Sequence, residues 1–284
     1  MKPAQLTRLQ LSFPAQEEDL LTGLLYLHVP WGWQDDGLDH GLRMLTIHCD
    51  QPEQCAEIQA LLAQACPSLQ TKVDHVPNAD WASAWKKYFV PINIGRFVVL
   101  PSWLAQGETK AEPIVIEPKM AFGTGHHQTT ALCLTALDHL ATQGCCSHGQ
   151  SFLDLGTGSG ILAIAAAKLG LKGWAVDIDS IAMDNARENV VLNAVQSQIH
   201  LETGSLEILS YDQSFDLILA NILANPLMDM AQGIIDHLAP SGILVLSGIL
   251  LSQADQVAQA YTDLGLPEPE LTSAQEWACL IFKR

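Results

Sequence analysis

The stretch Ser151–Gly170, S-F-L-D-L-G-T-G-S-G-I-L-A-I-A-A-A-K-L-G, constrains this chain more than any other. Phe152, Leu153 and Leu155 form the short apolar run of a central strand. Gly156, Gly158 and Gly160 allow a sharp turn that a ligand can approach with no Cβ in the way. Ile161–Ala167 is apolar on nearly every face, so the helix it predicts must be packed on a sheet. Gly170 stands where a helix C-cap glycine belongs.

The spacing of the glycines narrows the chemistry. A dinucleotide fingerprint runs G-x-G-x-x-G. Here the third glycine comes one residue early, and Asp154 precedes the first glycine by two positions. This D-x-G-x-G-x-G form resembles motif I of the class I S-adenosylmethionine-dependent methyltransferases, in which the loop holds the amino-acid end of the cofactor. The resemblance implies cofactor contacts at Asp154, Gly156 and Gly158. Trp174–Asp179 then reads as an apolar strand ending in carboxylates. Asp177 falls about 20 residues past the first glycine, where an acidic residue meets ribose hydroxyls, with Ile178 beside it. Asp179 or Ser180 suits the N-cap of the next helix.

Composition sets outer limits. The chain has 284 residues and a formal charge of −17, with 48% hydrophobic residues. Such a field disfavours nucleic acid and anionic membranes and suits a basic partner, with solubility alone as the alternative. The seven cysteines form no C-x-x-C pair and read as reduced thiols of a cytoplasmic protein. Cys145, Cys146 and His148 lack zinc-ligand spacing, so no metal is expected. No signal peptide and no membrane span is expected either.

In chain order, residues 5–13 alternate as a strand and Glu17–Val29 reads as a helix. Trp31–Trp33 opens a short strand, and Asp35-Asp36-Gly37 reads as a turn. A strand over Leu42–Cys49, a helix over Pro52–Cys66 and a strand over Leu69–Val76 follow. The order β-α-β-β-α-β is the ferredoxin-like arrangement. Residues 1–80 carry 4 Lys and Arg against 11 Asp and Glu, and no catalytic constellation. Binding a basic protein is the natural role, with a purely structural one as the alternative.

Asp80–Tyr88 reads as a connecting helix and Pro91–Leu100 as strand-rich. Next, Ile114–Thr130 runs from an apolar strand through the loop A-F-G-T-G-H-H-Q-T-T into a helix carrying Leu132, Leu134, Leu137 and Leu140. Thr129 and Thr130 can cap that helix or donate to a carboxylate. His126 and His127, with no further ligands, read as exposed loop residues. The A-F-G-T-G-x-H-x-T-T loop ahead of D-x-G-x-G-S-G-I-L-A-I-A-A resembles the ribosomal protein L11 methyltransferase family. Asp177-Ile178-Asp179, Ala220–Ala224, Leu246–Leu250 with Gln253, and Glu276-Trp277 match it too, as do Asp80-Trp81, Trp85 and Pro101-Ser102-Trp103. Lys119 departs from the pattern, where the family usually has glycine.

Beyond Asp179 the expected elements are a helix over Ile181–Val195, strands over Ile199–Thr203 and Phe215–Ala220, and a helix starting near Asn225-Pro226. Pro240-Ser241-Gly242 reads as a turn, Gly242–Leu250 as a strand, Gln253–Leu264 as a helix and Glu276–Lys283 as a last, antiparallel strand. The resemblance puts Asn221 in the place of the N/D-P-P-Y motif of amino-group methyltransferases. It implies a catalytic and cofactor-side Asn221, and cofactor contacts at Thr130 and Ile178. The alternative for Asn221 is a helix cap.

The expected organisation is a ferredoxin-like α+β substrate-recognition domain (1–77), a linker (78–108) and a class I Rossmann-like methyltransferase domain (109–284) with a mostly parallel seven-stranded sheet. The resemblance implies a cytoplasmic monomer that transfers methyl groups from S-adenosylmethionine to lysine side chains and the N-terminal α-amine of ribosomal protein L11. The alternatives are a related protein-lysine methyltransferase with another substrate and a non-catalytic cofactor-binding module.

Overall fold

The computed structural model describes residues 5–29, 32–39, 41–77, 90–105, 111–117, 127–146 and 148–284. The chain divides into two compact units, Met1–Phe89 and Val90–Arg284.

In the first unit, β1 (Gln5–Pro14), α1 (Glu18–His28), β2 (Gln34–Asp39), β3 (Leu42–Cys49), α2 (Pro52–Ala65) and β4 (Gln70–Pro77) follow one another. The four strands form one antiparallel sheet in the order β2-β3-β1-β4. Alternation places Leu9, Leu11 and Phe13 of β1 in a core with Leu21 and Leu25 of α1 and Ile58 and Leu62 of α2. Asp35-Asp36-Gly37 does not turn the chain. It lies inside β2, where the register slips between Asp35 and Gly37. The Asp35 carboxylate accepts the Gly37 N–H at 2.8 Å, and Asp36 accepts the Thr46 hydroxyl at 2.6 Å. A bulge and a turn use the same residue types, and only the partner strand tells them apart.

The second unit begins with a three-stranded sheet of β5 (Ile92–Ile94), β6 (Phe97–Leu100) and β7 (Glu112–Val115). Residues assigned to a linker on sequence grounds therefore include two of its strands. Then come α3 (Gln128–Thr142), β8 (Ser151–Leu155), α4 (Ile161–Lys168), β9 (Lys172–Asp177), α5 (Ser180–Leu192) and β10 (Ile199–Thr203). They are followed by β11 (Phe215–Asn221), α6 (Ala224–Asp229), α7 (Ala231–Asp236), β12 (Leu238–Leu250), α8 (Ala254–Thr262), β13 (Glu270–Ala274) and β14 (Trp277–Lys283). The seven-stranded sheet has the order β10-β9-β8-β11-β12-β14-β13. Strands β8 to β12 are parallel, and β14 runs antiparallel to both neighbours. This is the mostly parallel sheet expected.

Period-2 alternation splits the core between the two faces. Phe152, Leu217, Leu219 and Val245 pack with α3 and α4, while Leu153, Leu155, Ile218 and Leu246 pack with α6 to α8. Residues Ile161–Ala167 of α4 are all buried, as the uniformly apolar run requires. One expectation fails here. Pro240-Ser241-Gly242 is a bulge within β12, since Phe215 pairs with Leu238 but Leu217 already pairs with Ile243. The edge strand β13 was not anticipated, because four of its five residues are exposed and show no alternation. Among the described residues no helix is long and apolar enough to cross a membrane.

Candidate active site

Strand order reverses at β8, which lies between β9 and β11. In an open α/β sheet, ligands bind outside the carboxyl ends of the strands at such a point. The turn after β8 is held from β9: the Gly156 and Thr157 N–H groups donate to the Val176 carbonyl at 2.9 and 3.0 Å. Gly156 has φ +73°, and a Cβ there would lie 2.4 Å from Ile222 Cγ2. Any side chain at position 156 is therefore both strained and crowded.

Asp154 lies buried behind this turn. Its Oδ2 accepts the Thr157 hydroxyl at 2.6 Å and the Ala163 N–H at 3.0 Å, fastening the turn to the first turn of α4. Its Oδ1 is buried with no hydrogen-bond partner. Burial pushes the Asp154 carboxyl up to about 7; the two hydrogen bonds oppose the rise, and the charge of Asp177 adds to it. The folded chain thus holds a proton that the unfolded chain gives up near pH 4. Stability from this group is present below the unfolded value and falls as pH rises towards 7. A rise of roughly three units corresponds to about 4 kcal/mol. Asp154→Asn should flatten the decline in unfolding free energy between pH 4.5 and 7.5 by an amount of that order. Denaturant titrations showing the same slope in both proteins would exclude this origin.

Asp177 ends β9. Its Oδ2 accepts the Gly158 N–H at 2.9 Å and its Oδ1 the Asp179 N–H at 3.0 Å. Each carboxylate oxygen keeps a further lone pair for a hydroxyl donor. Ile178 beside it is 79% exposed and offers an apolar surface for a flat ring. Asp179 caps α5 by accepting the Ile181 N–H at 2.9 Å.

Asn221 ends β11. It does not cap α6, whose N-cap is Leu223 with no side-chain bond. Its Nδ2 donates to Thr130 Oγ1 at 3.4 Å, and its Oδ1 is buried without a partner. An orphaned buried acceptor costs about 1–3 kcal/mol, which a donor arriving from a ligand would remove. Thr129 and Thr130 are fully buried in the first turn of α3 rather than capping it. The cap is His127, whose Nδ1 accepts the Thr129 N–H and lies 2.7 Å from the Thr129 hydroxyl. His127 is thus built in, not an exposed loop residue. Residues Lys119, Gly123, Gly125 and His126 lie outside the described residues.

Asn221 opens into a cavity of about 330 Å³ lined by His127, Thr129, Ile222, Leu223, Gly248 and Trp277. His127 and Trp277 meet edge to face, their ring centroids 4.7 Å apart. Gly248 has φ +83°, and a Cβ there would lie 2.4 Å from the Ile222 carbonyl oxygen. The chain leaving β11 therefore crosses the end of β12 directly over Gly248. The site joins a glycine turn flanked by carboxylates to an apolar cavity with one unsatisfied amide oxygen. Among the described residues, neither the turn nor the cavity lining contains a lysine or arginine that would draw a pyrophosphate, and the Asp177 carboxylate favours a cation.

Comparison with known proteins gives one result. The family model described as ribosomal protein L11 methyltransferase (PrmA) matches residues 35–284. A ribosomal protein L11 methyltransferase of Trichlorobacter lovleyi is 44% identical over 247 residues, covering 84% of this chain and 80% of the relative. One from Enterococcus faecalis is 38% identical over 216 residues, covering 75% and 67%. The crystal structure of a ribosomal protein L11 methylase from Lactobacillus delbrueckii subsp. bulgaricus superposes with a TM-score of 0.62 at 34% identity, covering 69% of this chain and 99% of that one.

Proposed function

We propose, because this chain belongs to the ribosomal protein L11 methyltransferase family, that it methylates amino groups of ribosomal protein L11 with S-adenosylmethionine as the donor. The acceptors are lysine side chains and the N-terminal α-amine. The observation that carries this reading is Asn221, whose Oδ1 is buried and unpartnered at the mouth of an apolar cavity.

The residues present suit that cofactor. Asp177 takes the ribose hydroxyls, Ile178 flanks the base, and the turn at Gly156 and Gly158 takes the amino-acid end. Asp154 supports the turn from behind. Thr130 positions Asn221. When bound, S-adenosylmethionine supplies an already activated sulfonium methyl group, so the chain's own work is alignment and exclusion of water. An acceptor lysine has pKa about 10.4 in water and must be neutral to react. A cavity lined by Ile222, Leu223 and Trp277 favours the neutral amine by withholding solvent. Asn221 Oδ1 then accepts an amine N–H and turns the nitrogen lone pair towards the methyl group. Asn221 is not a base, and the proton leaves to water before the amine enters. Transfer of labelled methyl groups into purified L11, followed by peptide mapping, tests the reading. Incorporation into another protein alone would overturn the substrate, and cofactor binding with no transfer to any ribosomal protein would overturn the enzyme.

We assign substrate recognition to the ferredoxin-like domain (1–77) and methyl transfer to the second unit, Val90–Arg284, which takes in most of the 78–108 expected as a linker, in a cytoplasmic monomer. The excess of acidic residues over 1–80 favours a basic protein surface. A truncated chain starting at Pro77 should keep cofactor affinity, since every cofactor residue lies beyond it. Its methylation of intact L11 should fall at least about 10²-fold, the scale on which binding remote from the chemistry contributes to catalysis. Full activity on intact L11, measured beside cofactor titration, would remove the recognition role.

A further inference from the structure

Helix α5 carries asparagines four residues apart, Asn185 and Asn189, and a third, Asn193, at its C-cap; all three are buried. Asparagine is a poor helix former, and a buried amide is costly unless its donors and acceptor are satisfied. Here they are. Asn193 Oδ1 accepts the Val115 N–H at 2.8 Å, and its Nδ2 donates to the Val115 carbonyl at 2.7 Å. Asn189 Oδ1 accepts the Glu117 N–H at 2.9 Å. The opposite edge of this segment pairs with β6, and Ile116 donates to the Leu100 carbonyl at 3.0 Å. Two side-chain amides therefore act as the missing partner strand along residues 115–117, at the alternation a strand would use.

Asn189 makes one contact that Asn193 does not. Its Nδ2 donates to the Ser159 carbonyl at 2.8 Å, in the glycine turn after β8. A single buried side chain thus joins that turn to the strand segment ending at Glu117. From Glu117 the chain runs on to His127, which caps α3, and to Thr130, which accepts the Asn221 Nδ2. Aspartate could accept from Glu117 but not donate to Ser159, and leucine could do neither. Only an amide of this length serves both.

We infer that Asn189 is a positioning residue that sets the glycine turn and the segment entering the acceptor side of the site in fixed relation, whereas Asn193 only anchors the strand. The inference rests on the assignment of the glycine turn to the cofactor. Hydrogen exchange and calorimetry with S-adenosylhomocysteine, the demethylated product, test it on the full chain. Asn189→Ser should speed exchange both in a peptide spanning 156–163 and in one spanning 112–117, and should weaken binding about 10-fold, one buried hydrogen bond's worth. Asn193→Ser should speed exchange only over 112–117 and leave affinity within about twofold, having no contact with the turn. Asn189→Asp, which keeps the acceptor for Glu117, should speed exchange over 156–163 alone, and it serves if the serine variant fails to fold. Equal loss of affinity in the 189 and 193 variants, or unchanged exchange over 156–163 on changing Asn189, would reduce Asn189 to packing. If the unaltered chain binds no cofactor, the functional reading fails, and the exchange pattern alone decides the role of Asn189.

Discussion

Asp177→Ala is expected to weaken S-adenosylmethionine binding by about 2–4 kcal/mol, because two ribose hydroxyls lose a charged acceptor. The same substitution frees the Gly158 and Asp179 N–H groups from their acceptor. The loss therefore has two parts, direct contact and a looser turn. Asp177→Asn separates them, because an amide oxygen can still accept one N–H while the charge is gone. The asparagine variant should bind with intermediate affinity. Thr157 remains bonded to Val176 and Asp154 in both variants, so the fold around the turn should persist. Calorimetry checks the affinities and thermal unfolding checks the fold. A folded Asp177→Ala protein with unaltered affinity would remove Asp177 from the ribose site.

The half of the site built by consecutive residues was legible in the sequence. Strand, glycine turn, buried helix and the acidic end of the next strand are local features, and the spacing between Gly156 and Asp177 locates the crevice by itself. What escaped was set by partners far along the chain. His127 touches Trp277 across 150 positions, and Gly248 is glycine because Ile222 crosses it. The Asp36 bulge and the β12 bulge looked like turns because extra residues in a strand need the same chemistry as a reversal. The edge strand β13 lacks alternation because water, not a core, meets most of its side chains. One overlooked feature did leave a trace. Asn185, Asn189 and Asn193 recur at helical spacing on the buried side of α5, a pattern with no reason to exist in a simple amphipathic helix.

Asn221→Ala should lower the rate of methyl transfer by about 10²-fold, the cost of misplacing a reacting group. The carboxyl end of β11 puts this residue beside the glycine turn, and Ile222, next in the chain, already packs against the space over Gly156. Among the described residues lining the cavity, its Oδ1 is the one buried acceptor with no partner of its own. Removing it leaves the apolar walls able to admit an amine but not to aim it. Cofactor affinity should fall by less than about 1.4 kcal/mol, since Asp177 and the turn remain. Asn221→Asp gives a different signature. A carboxylate there would draw the protonated, unreactive ammonium, so transfer should be slow near neutral pH and recover partly as pH rises. Single-turnover transfer at saturating cofactor, taken from pH 7 to 10 with direct binding alongside, reads both effects. Unimpaired transfer by the alanine variant would take Asn221 out of the mechanism. An aspartate variant whose pH profile matches that of the unaltered chain would show that this side chain does not meet the amine.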